Sequence, residues 1–289
     1  MKTFINRYQI SIFFVVTLLI GWLPWYTGRG SIIIAAPSIA ALIVAFLADG
    51  WKGILDILRR LGRWRANWRW YIFILFSPVA LYLIAIGVHV LFGGTAPQFP
   101  MLIENQQLIL MVFIFFLLPW QSSAFLEEIG FRGYALEKLQ NKLGPLVGTL
   151  ILGAFFGAWL LPEFFQPGSF QYSMGGLRFY PWFILTEIGW SILMTWTYNH
   201  TNKSSLIAGY LFHTAFNTWS LVLLTNAIPG EPSPAFDTAL FIVASVIVAL
   251  AGVVVLVVTQ GKLGFNDDME SVTTKPGVVE VHHDILPQE

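Results

Sequence analysis

The chain of 289 residues contains no cysteine and very little charge. Without cysteine it cannot form a disulfide, a thiolate metal site or a cysteine nucleophile. Only 11% of its residues are charged and 56% are hydrophobic, whereas an ordinary soluble domain has roughly 25% charged residues. The sequence therefore predicts an integral membrane protein. The formal net charge is zero, so no overall positive field attracts nucleic acid, and no nucleic-acid partner is expected.

Several signatures of intramembrane proteases and transporters are also missing. The sequence has no H-E-x-x-H zinc helix, no G-x-S-G serine motif and no G-x-G-D aspartyl motif. Any hydrolytic chemistry must therefore use the glutamates. No internal repeat is apparent either, which argues against a transporter because many transporters are built from repeated halves.

Eight apolar windows are each close to the length of about 20 residues that crosses a bilayer as a helix. They lie at approximately 8–26, 31–48, 70–93, 107–126, 146–162, 181–198, 205–225 and 238–260. The first window leads to no small-residue cleavage site, so we interpret it as a retained span rather than a signal peptide. The predicted fold class is all-α, a polytopic membrane helical bundle of about eight transmembrane helices.

The distribution of basic residues predicts the orientation of this bundle. If both termini are cytoplasmic, the outer segments hold only Arg29 and Arg178, and the inner segments hold the other 14 of the 16 basic residues. We therefore expect a multi-pass protein of the cell membrane with both termini in the cytoplasm. Residues 51–69 alternate basic and apolar positions with a helical period, which predicts an amphipathic helix on the inner leaflet. The lipid bilayer is thus an expected partner.

The spans and loops suggest four regions. We expect N-terminal membrane helices over 1–106, a core of helices over 107–225, a last membrane helix over 226–260 and a polar cytoplasmic tail over 261–289. The tail contains the pair His282 and His283. Such a pair can bind a metal, but an unstructured polar tail explains it more simply.

Polar side chains within the apolar windows are candidate functional residues, because a charged one costs roughly 2.5 to 3.5 kcal/mol to insert at a helix centre. His213 and Asn217 are one helical turn apart and share a face. They can donate to an oxyanion, hold a ligand or a metal, or join two spans by hydrogen bonds. The residues alone leave these alternatives open. For Glu187, in another window, a hydrogen-bonded packing role is the simpler interpretation.

Two adjacent glutamates follow the fourth window. Glu127 and Glu128 point about 100° apart on a helix, and Arg132 is one turn beyond Glu128. An ion pair between Glu128 and Arg132 would make Glu128 structural and leave Glu127 free to face the bundle interior as a general base. The alternative is a solvated helix that begins just outside the membrane.

These motifs resemble those of the CPBP family of CAAX proteases and bacteriocin-processing enzymes, also called the Abi family. Its motif E-E-x-x-x-R corresponds to Glu127, Glu128 and Arg132, and its motif H-x-x-x-N corresponds to His213 and Asn217. The resemblance implies a cytosol-accessible cavity within a helical bundle, in which a glutamate activates water for peptide hydrolysis. By the same resemblance Glu127 is the base, Glu128 and Arg132 support it, and His213 and Asn217 stabilise the oxyanion.

The resemblance leaves the cofactor open. Family members have been described as metalloproteases and as glutamate-dependent hydrolases without a metal. The site is therefore expected to hold either a divalent metal such as zinc, with Glu127 and His213 as candidate ligands, or no cofactor.

The family's middle motif, F-x-x-x-H, is incomplete in this chain. Phe156 is followed four residues later by Leu160, and no histidine occurs from 90 to 199. Glu163, one turn further on, could in principle reach the same region, but we expect it to face water near the outer end of the span. The leading prediction is an intramembrane endopeptidase that cleaves a peptide or a membrane protein presented from the cytoplasmic leaflet. The alternative is a non-catalytic relative, a pseudoprotease with an immunity or scaffold role, and a transporter is the lesser alternative.

Overall fold

The computed structural model describes residues 2–104, 106–118, 123–228 and 236–265. These residues form helices and turns, with no β-strand among them. The α-helices are α1 (Lys2–Gly21), α2 (Leu23–Tyr26), α3 (Ala36–Asp49), α4 (Trp51–Leu61), α5 (Trp68–Leu91), α6 (Pro100–Ile103), α7 (Gln106–Leu117), α8 (Ser123–Gly130), α9 (Leu136–Trp159), α10 (Phe170–Ser173), α11 (Tyr180–His200), α12 (Phe212–Leu224) and α13 (Thr238–Val258). Turns of π-helix at Phe131–Ala135 and Leu206–Leu211 lead into α9 and α12. The predicted all-α fold is confirmed.

Five helical stretches in these parts of the chain are long and apolar enough to cross a membrane. They are Phe4–Gly21, Trp68–Leu91, Ser123–Trp159, Leu206–Leu224 and Thr238–Val258. The polytopic membrane bundle is therefore confirmed, and these stretches overlap five of the eight predicted windows, although Ser123–Trp159 begins well before the window 146–162.

The other three windows fall on helices that do not meet the length and composition of a span. The window 31–48 falls on α3, which has only 14 residues. The window 107–126 includes most of α7 and the start of α8, and residues 119–122 between these helices lie outside the described part of the chain. The window 181–198 falls on α11, whose polar residues, Glu187 among them, lower its hydropathy. Eight crossings therefore remain a prediction.

A sharp bend at Gly144 divides α9 into two arms. Gly144 has φ +78°, a conformation that glycine adopts without steric cost. The arms on either side pack closely, since a Cβ on Gly148 would lie 2.9 Å from the backbone carbon of Leu139. The second arm ends at Trp159, whose indole reaches Glu127. The helix that carries Glu127 therefore runs within the bundle, and the alternative of a solvated helix start is contradicted by the burial of Glu127 and Glu128.

The two ends of the bundle carry different segments. At one end, which we call the basic end, Lys138 lies 3.9 Å from Asp49 and Arg63 donates to the carbonyl oxygen of Asn202 at 2.9 Å. At the opposite end, Trp22 donates to the carbonyl oxygen of Trp159 at 2.8 Å. The turns after α3, at Gly144 and after α11 thus meet at the basic end, and the segments after α1 and α9 meet at the opposite end.

The predicted amphipathic helix is α4, which is shorter than the segment 51–69 because it ends at Gly62. Its buried face places Ile57 against the π-turn at Phe131–Ala135, and Arg60 donates to the carbonyl oxygen of Gly133 at 2.8 Å. Its other face exposes Trp51. The helix therefore lies along the basic end, with one face packed on the bundle and the other exposed.

Candidate active site

A cavity of about 200 Å³ lies among α8, α9, α11 and α12. Its polar wall consists of Ser123, Glu127, Glu163, Gln171, Glu187, His213 and Asn217, and its apolar wall of Ile32, Ile34, Phe156, Leu160, Phe170 and Phe183. Three of the five predicted site residues, Glu127, His213 and Asn217, thus line one space. Glu128 and Arg132 lie behind this wall.

Glu127 is buried at the cavity wall with 3% of its surface exposed. The indole nitrogen Nε1 of Trp159 lies 3.4 Å from its Oε1 and donates to it. The bend at Gly144 brings the end of α9 back to α8, and this makes the contact possible. Trp159 is a site residue that sequence reasoning missed, and the only signal was its place beside the incomplete middle motif.

Glu128 holds the basic groups of the site together. Its Oε1 accepts a hydrogen bond from Arg132 Nη1 at 2.9 Å, as the spacing predicts, and lies 3.0 Å from Nδ1 of His213. A carboxylate only accepts, so Nδ1 carries a hydrogen and the remaining polar atom of the ring is Nε2. Glu128 therefore fixes the orientation of the imidazole that lines the cavity.

Arg132 is part of the buried network and not of an inner loop. It is 2% exposed, and its Nη2 lies 3.4 Å from the hydroxyl of Ser191 in α11. Its guanidinium also lies 5.9 Å from the centre of the Phe156 ring. A buried charge needs such partners. The sequence count of inner basic residues must therefore omit Arg132.

Leu160 lies on the cavity wall with 8% exposure. The ring of Phe156 is 5.7 Å from that of His213, so both ends of the incomplete middle motif reach the site. The position where the family motif carries an imidazole thus presents an apolar side chain to the cavity.

Two further carboxylates line the same cavity. Glu163 is half-buried and accepts a hydrogen bond from the hydroxyl of Ser31, so the expectation that it simply faces water is wrong. Burial raises the pKa of Glu163, and the bond from Ser31 partly offsets this. Glu187 is 9% exposed and accepts no hydrogen bond from the described part of the chain. The hydrogen bond predicted for a packing role of Glu187 is thus absent among the described residues, and the packing role itself stays a prediction.

The described part of the chain offers too few ligands for a metal site around the cavity. Among the described residues, no three histidine, aspartate or glutamate side chains are placed to hold a metal ion. Glu127 and His213 share the cavity, but Glu128, the nearest further carboxylate along the chain, is occupied by Arg132 and His213. The residues present do not form a metal centre, and no reaction step is derived through one.

Comparisons with known proteins found two similarities. A family model described as type II CAAX prenyl endopeptidase Rce1-like matches residues 105–219. A curated protein named CAAX prenyl protease 2, from Methanococcus maripaludis, is 24% identical over 267 residues, which cover 84% of this chain and 94% of the relative. Both similarities support the resemblance of this chain to the CPBP family of intramembrane proteases. The segment matched by the family model contains both complete CPBP motifs and the incomplete middle one.

Proposed function

We propose that this protein is an intramembrane endopeptidase of the CPBP type, in which Glu127 activates water to hydrolyse a peptide bond. The observation that supports this most is the shared cavity of Glu127, His213 and Asn217. The names of the matched family and of the archaeal relative support peptide hydrolysis as the reaction class. The substrate is a peptide or a segment of a membrane protein, and both termini of the enzyme are cytoplasmic.

The proposed reaction begins at Glu127. Its carboxylate takes a proton from water as the water oxygen bonds to the carbonyl carbon of the substrate. The resulting oxyanion accepts hydrogen bonds from His213 and from the amide of Asn217. With Nδ1 held by Glu128, the imidazolium form of His213 can donate through Nε2.

Glu187 completes the proposed reaction as the general acid. In its protonated form it gives a proton to the leaving amine nitrogen as the carbon–nitrogen bond breaks. The proton held by Glu127 then returns to Glu187 through water, so one water is consumed and both carboxyl groups are restored. Glu187 would thereby replace the imidazole that is missing at Leu160.

The test of the proposed function compares two glutamate variants. Purified protein is incubated with a peptide library, and cleavage is followed by mass spectrometry. Loss of a general base slows catalysis by about 10²- to 10⁴-fold, so Glu127→Gln should remove nearly all cleavage. The matched control Glu104→Gln changes an exposed carboxylate outside the cavity and should cleave like the wild type. Equal cleavage by Glu127→Gln would refute the mechanism.

The position of Leu160 favours a second candidate, a non-catalytic peptide-binding protein with an immunity or scaffold role. The side chain lies on the cavity wall and can neither move a proton nor donate a hydrogen bond. Leu160→His separates the two candidates. If the wild type is inactive and Leu160→His gains cleavage, the native protein is a binder; cleavage by the wild type excludes that role.

A further inference from the structure

We infer that a pocket at the basic end, between α1 and the arm of α9 that precedes the bend at Gly144, binds the phosphate group of an anionic phospholipid. The pocket has a volume of about 250 Å³ and shares no lining residue with the active-site cavity. Its lining residues are Asn6, Arg7, Gln9, Ile10, Lys138, Asn141 and Lys142. The inference does not depend on the proposed function, because lipid binding requires no cleavage.

The lining of this pocket carries positive charge and no negative charge. Three of its seven residues, Arg7, Lys138 and Lys142, are basic, and none is acidic. Lys138 has one distant partner, since its ammonium lies 3.9 Å from the carboxylate of Asp49. Among the residues that the structure describes, Arg7 and Lys142 have no carboxylate partner. Two of the three cations are therefore available to an anion from outside the chain.

Polar contacts join the two helices that carry these cations. The hydroxyl of Tyr134, in the π-turn before α9, donates to Oε1 of Gln9 in α1 at 3.2 Å. The side-chain amide of Gln9 donates to the carbonyl oxygen of Asn6 at 3.2 Å. The ammonium of Lys138 lies 5.1 Å from the ring centre of Tyr134, which is buried. The backbone positions of the positive groups are thus fixed before a ligand arrives, which lowers the cost of binding.

The pocket lies where lipid headgroups are expected. Lys142 is two residues before the bend at Gly144, where α9 turns back into the bundle. Arg7 is three residues after Phe4, the first residue of the candidate span in α1. Basic pockets between transmembrane helices bind the phosphate-bearing headgroups of anionic lipids. The position therefore favours a lipid phosphate as the occupant.

The helices beyond the pocket offer apolar surface to the acyl chains of such a lipid. From the pocket onward α1 and the second arm of α9 lie side by side, since the rings of Phe14 and Phe155 stack with their centres 4.0 Å apart. Both helices expose apolar side chains along this length, among them Val15 and Leu19 in α1 and Val147 in α9. A lipid is favoured over a soluble phosphate compound, because its chains add apolar contacts to those of its phosphate.

Native mass spectrometry of the purified full-length protein tests this site, because it counts bound lipids and gives their affinities. The protein is titrated with phosphatidylglycerol, with phosphatidylcholine and, without lipid, with inorganic phosphate. The double variant Arg7→Gln/Lys142→Gln removes the two unpaired cations, and both side chains are exposed, so the fold should tolerate the change. Arg65→Gln/Arg69→Gln is the matched control, since it removes two exposed charges elsewhere at the basic end. Arg7→Lys/Lys142→Arg keeps the charge of the pocket.

We expect the wild type to bind one phosphatidylglycerol more tightly than any further lipid molecule. The variant Arg7→Gln/Lys142→Gln should bind that lipid about 30-fold more weakly, the effect of two charges near a membrane surface. The matched control and the variant that keeps the charge should bind it like the wild type. No loss in Arg7→Gln/Lys142→Gln, or an equal loss in the control, would overturn the inference. Equally tight binding of phosphatidylcholine or of inorganic phosphate to the wild type would also overturn it.

Discussion

At the cavity wall, Glu187 has the surroundings of a reactive carboxylate rather than of a packing residue. It faces the same space as Glu127 and accepts no hydrogen bond from the described part of the chain. We predict that Glu187→Gln slows hydrolysis of a peptide bond by about 10²- to 10⁴-fold, the typical contribution of a general acid. The same substitution should hardly change the rate of hydrolysis of an activated phenyl ester, because the phenolate leaving group departs without being protonated. Rates on the two substrates are compared in the same preparation.

Two further variants distinguish proton donation from a structural effect. Glu163→Gln alters a carboxylate of the same wall, one that is bonded to Ser31, and should change the two substrates' rates by the same factor. Leu160→His in the Glu187→Gln background should recover amide hydrolysis, because it returns an imidazole to the cavity. If Glu187→Gln lowers the hydrolysis rates of the amide and the ester by the same factor, the residue supports the fold and donates no proton.

Local spacing predicted some site residues and missed others. Glu128 and Arg132 are four apart on one helix, and so are His213 and Asn217, so each pair is apparent from the sequence. Trp159 reaches Glu127 across 32 residues because of one bend, a contact that no local pattern encodes.

Among the elements, α9 and α11 approach each other so closely that only glycine fits between them. A Cβ on Gly153 would lie 2.8 Å from Cα of Ile188 and 3.0 Å from the carbonyl oxygen of Glu187. Small residues allow such close backbone contact between membrane helices. The register of α11, and with it the position of Glu187 in the cavity, therefore depends on Gly153.

We predict that Gly153→Ala destabilises the protein by about 1–3 kcal/mol, the usual cost of overpacking, and slows cleavage by displacing Glu187. Gly87→Ala is the matched control, since a Cβ there meets nothing within 4 Å. Thermal unfolding in detergent and the cleavage rate are measured for both variants. An unfolding midpoint for Gly153→Ala equal to that of Gly87→Ala would contradict this account of the helix contact.

Apolar windows located most helices, but composition could not predict how the helices are joined. The bend at Gly144 lies just before the predicted window 146–162, where the sequence leaves room for a turn. The error concerned the helix before it. Glu127, Glu128 and Arg132 give that helix a polar appearance, and their burial is possible only because they pair with each other and with neighbouring helices.

Across the whole molecule, the basic end combines charge with exposed aromatic side chains. Trp51 in α4 is 71% exposed, and the guanidinium groups of Arg65 and Arg69 lie 5.2 and 6.0 Å from the ring centres of Trp64 and Trp68. Tryptophan prefers the interface between lipid and water, and lysine or arginine there attracts anionic headgroups. The basic end of the bundle is thus suited to an anionic leaflet.

We predict that the protein unfolds at a higher temperature in nanodiscs of anionic lipid than in zwitterionic ones, and that added salt reduces the difference. Replacing Lys52, Arg59, Arg65 and Arg69 by glutamine should weaken this preference by about 1 kcal/mol for each charge. Exchanging lysine and arginine at the same four positions keeps the charge and should keep the preference. If the glutamine variant retains the full lipid dependence, the four charges do not bind anionic headgroups. In that case α4 is held by the contacts of Arg60 with Gly133 and Glu137 alone, and the four charges serve only to orient the bundle during insertion.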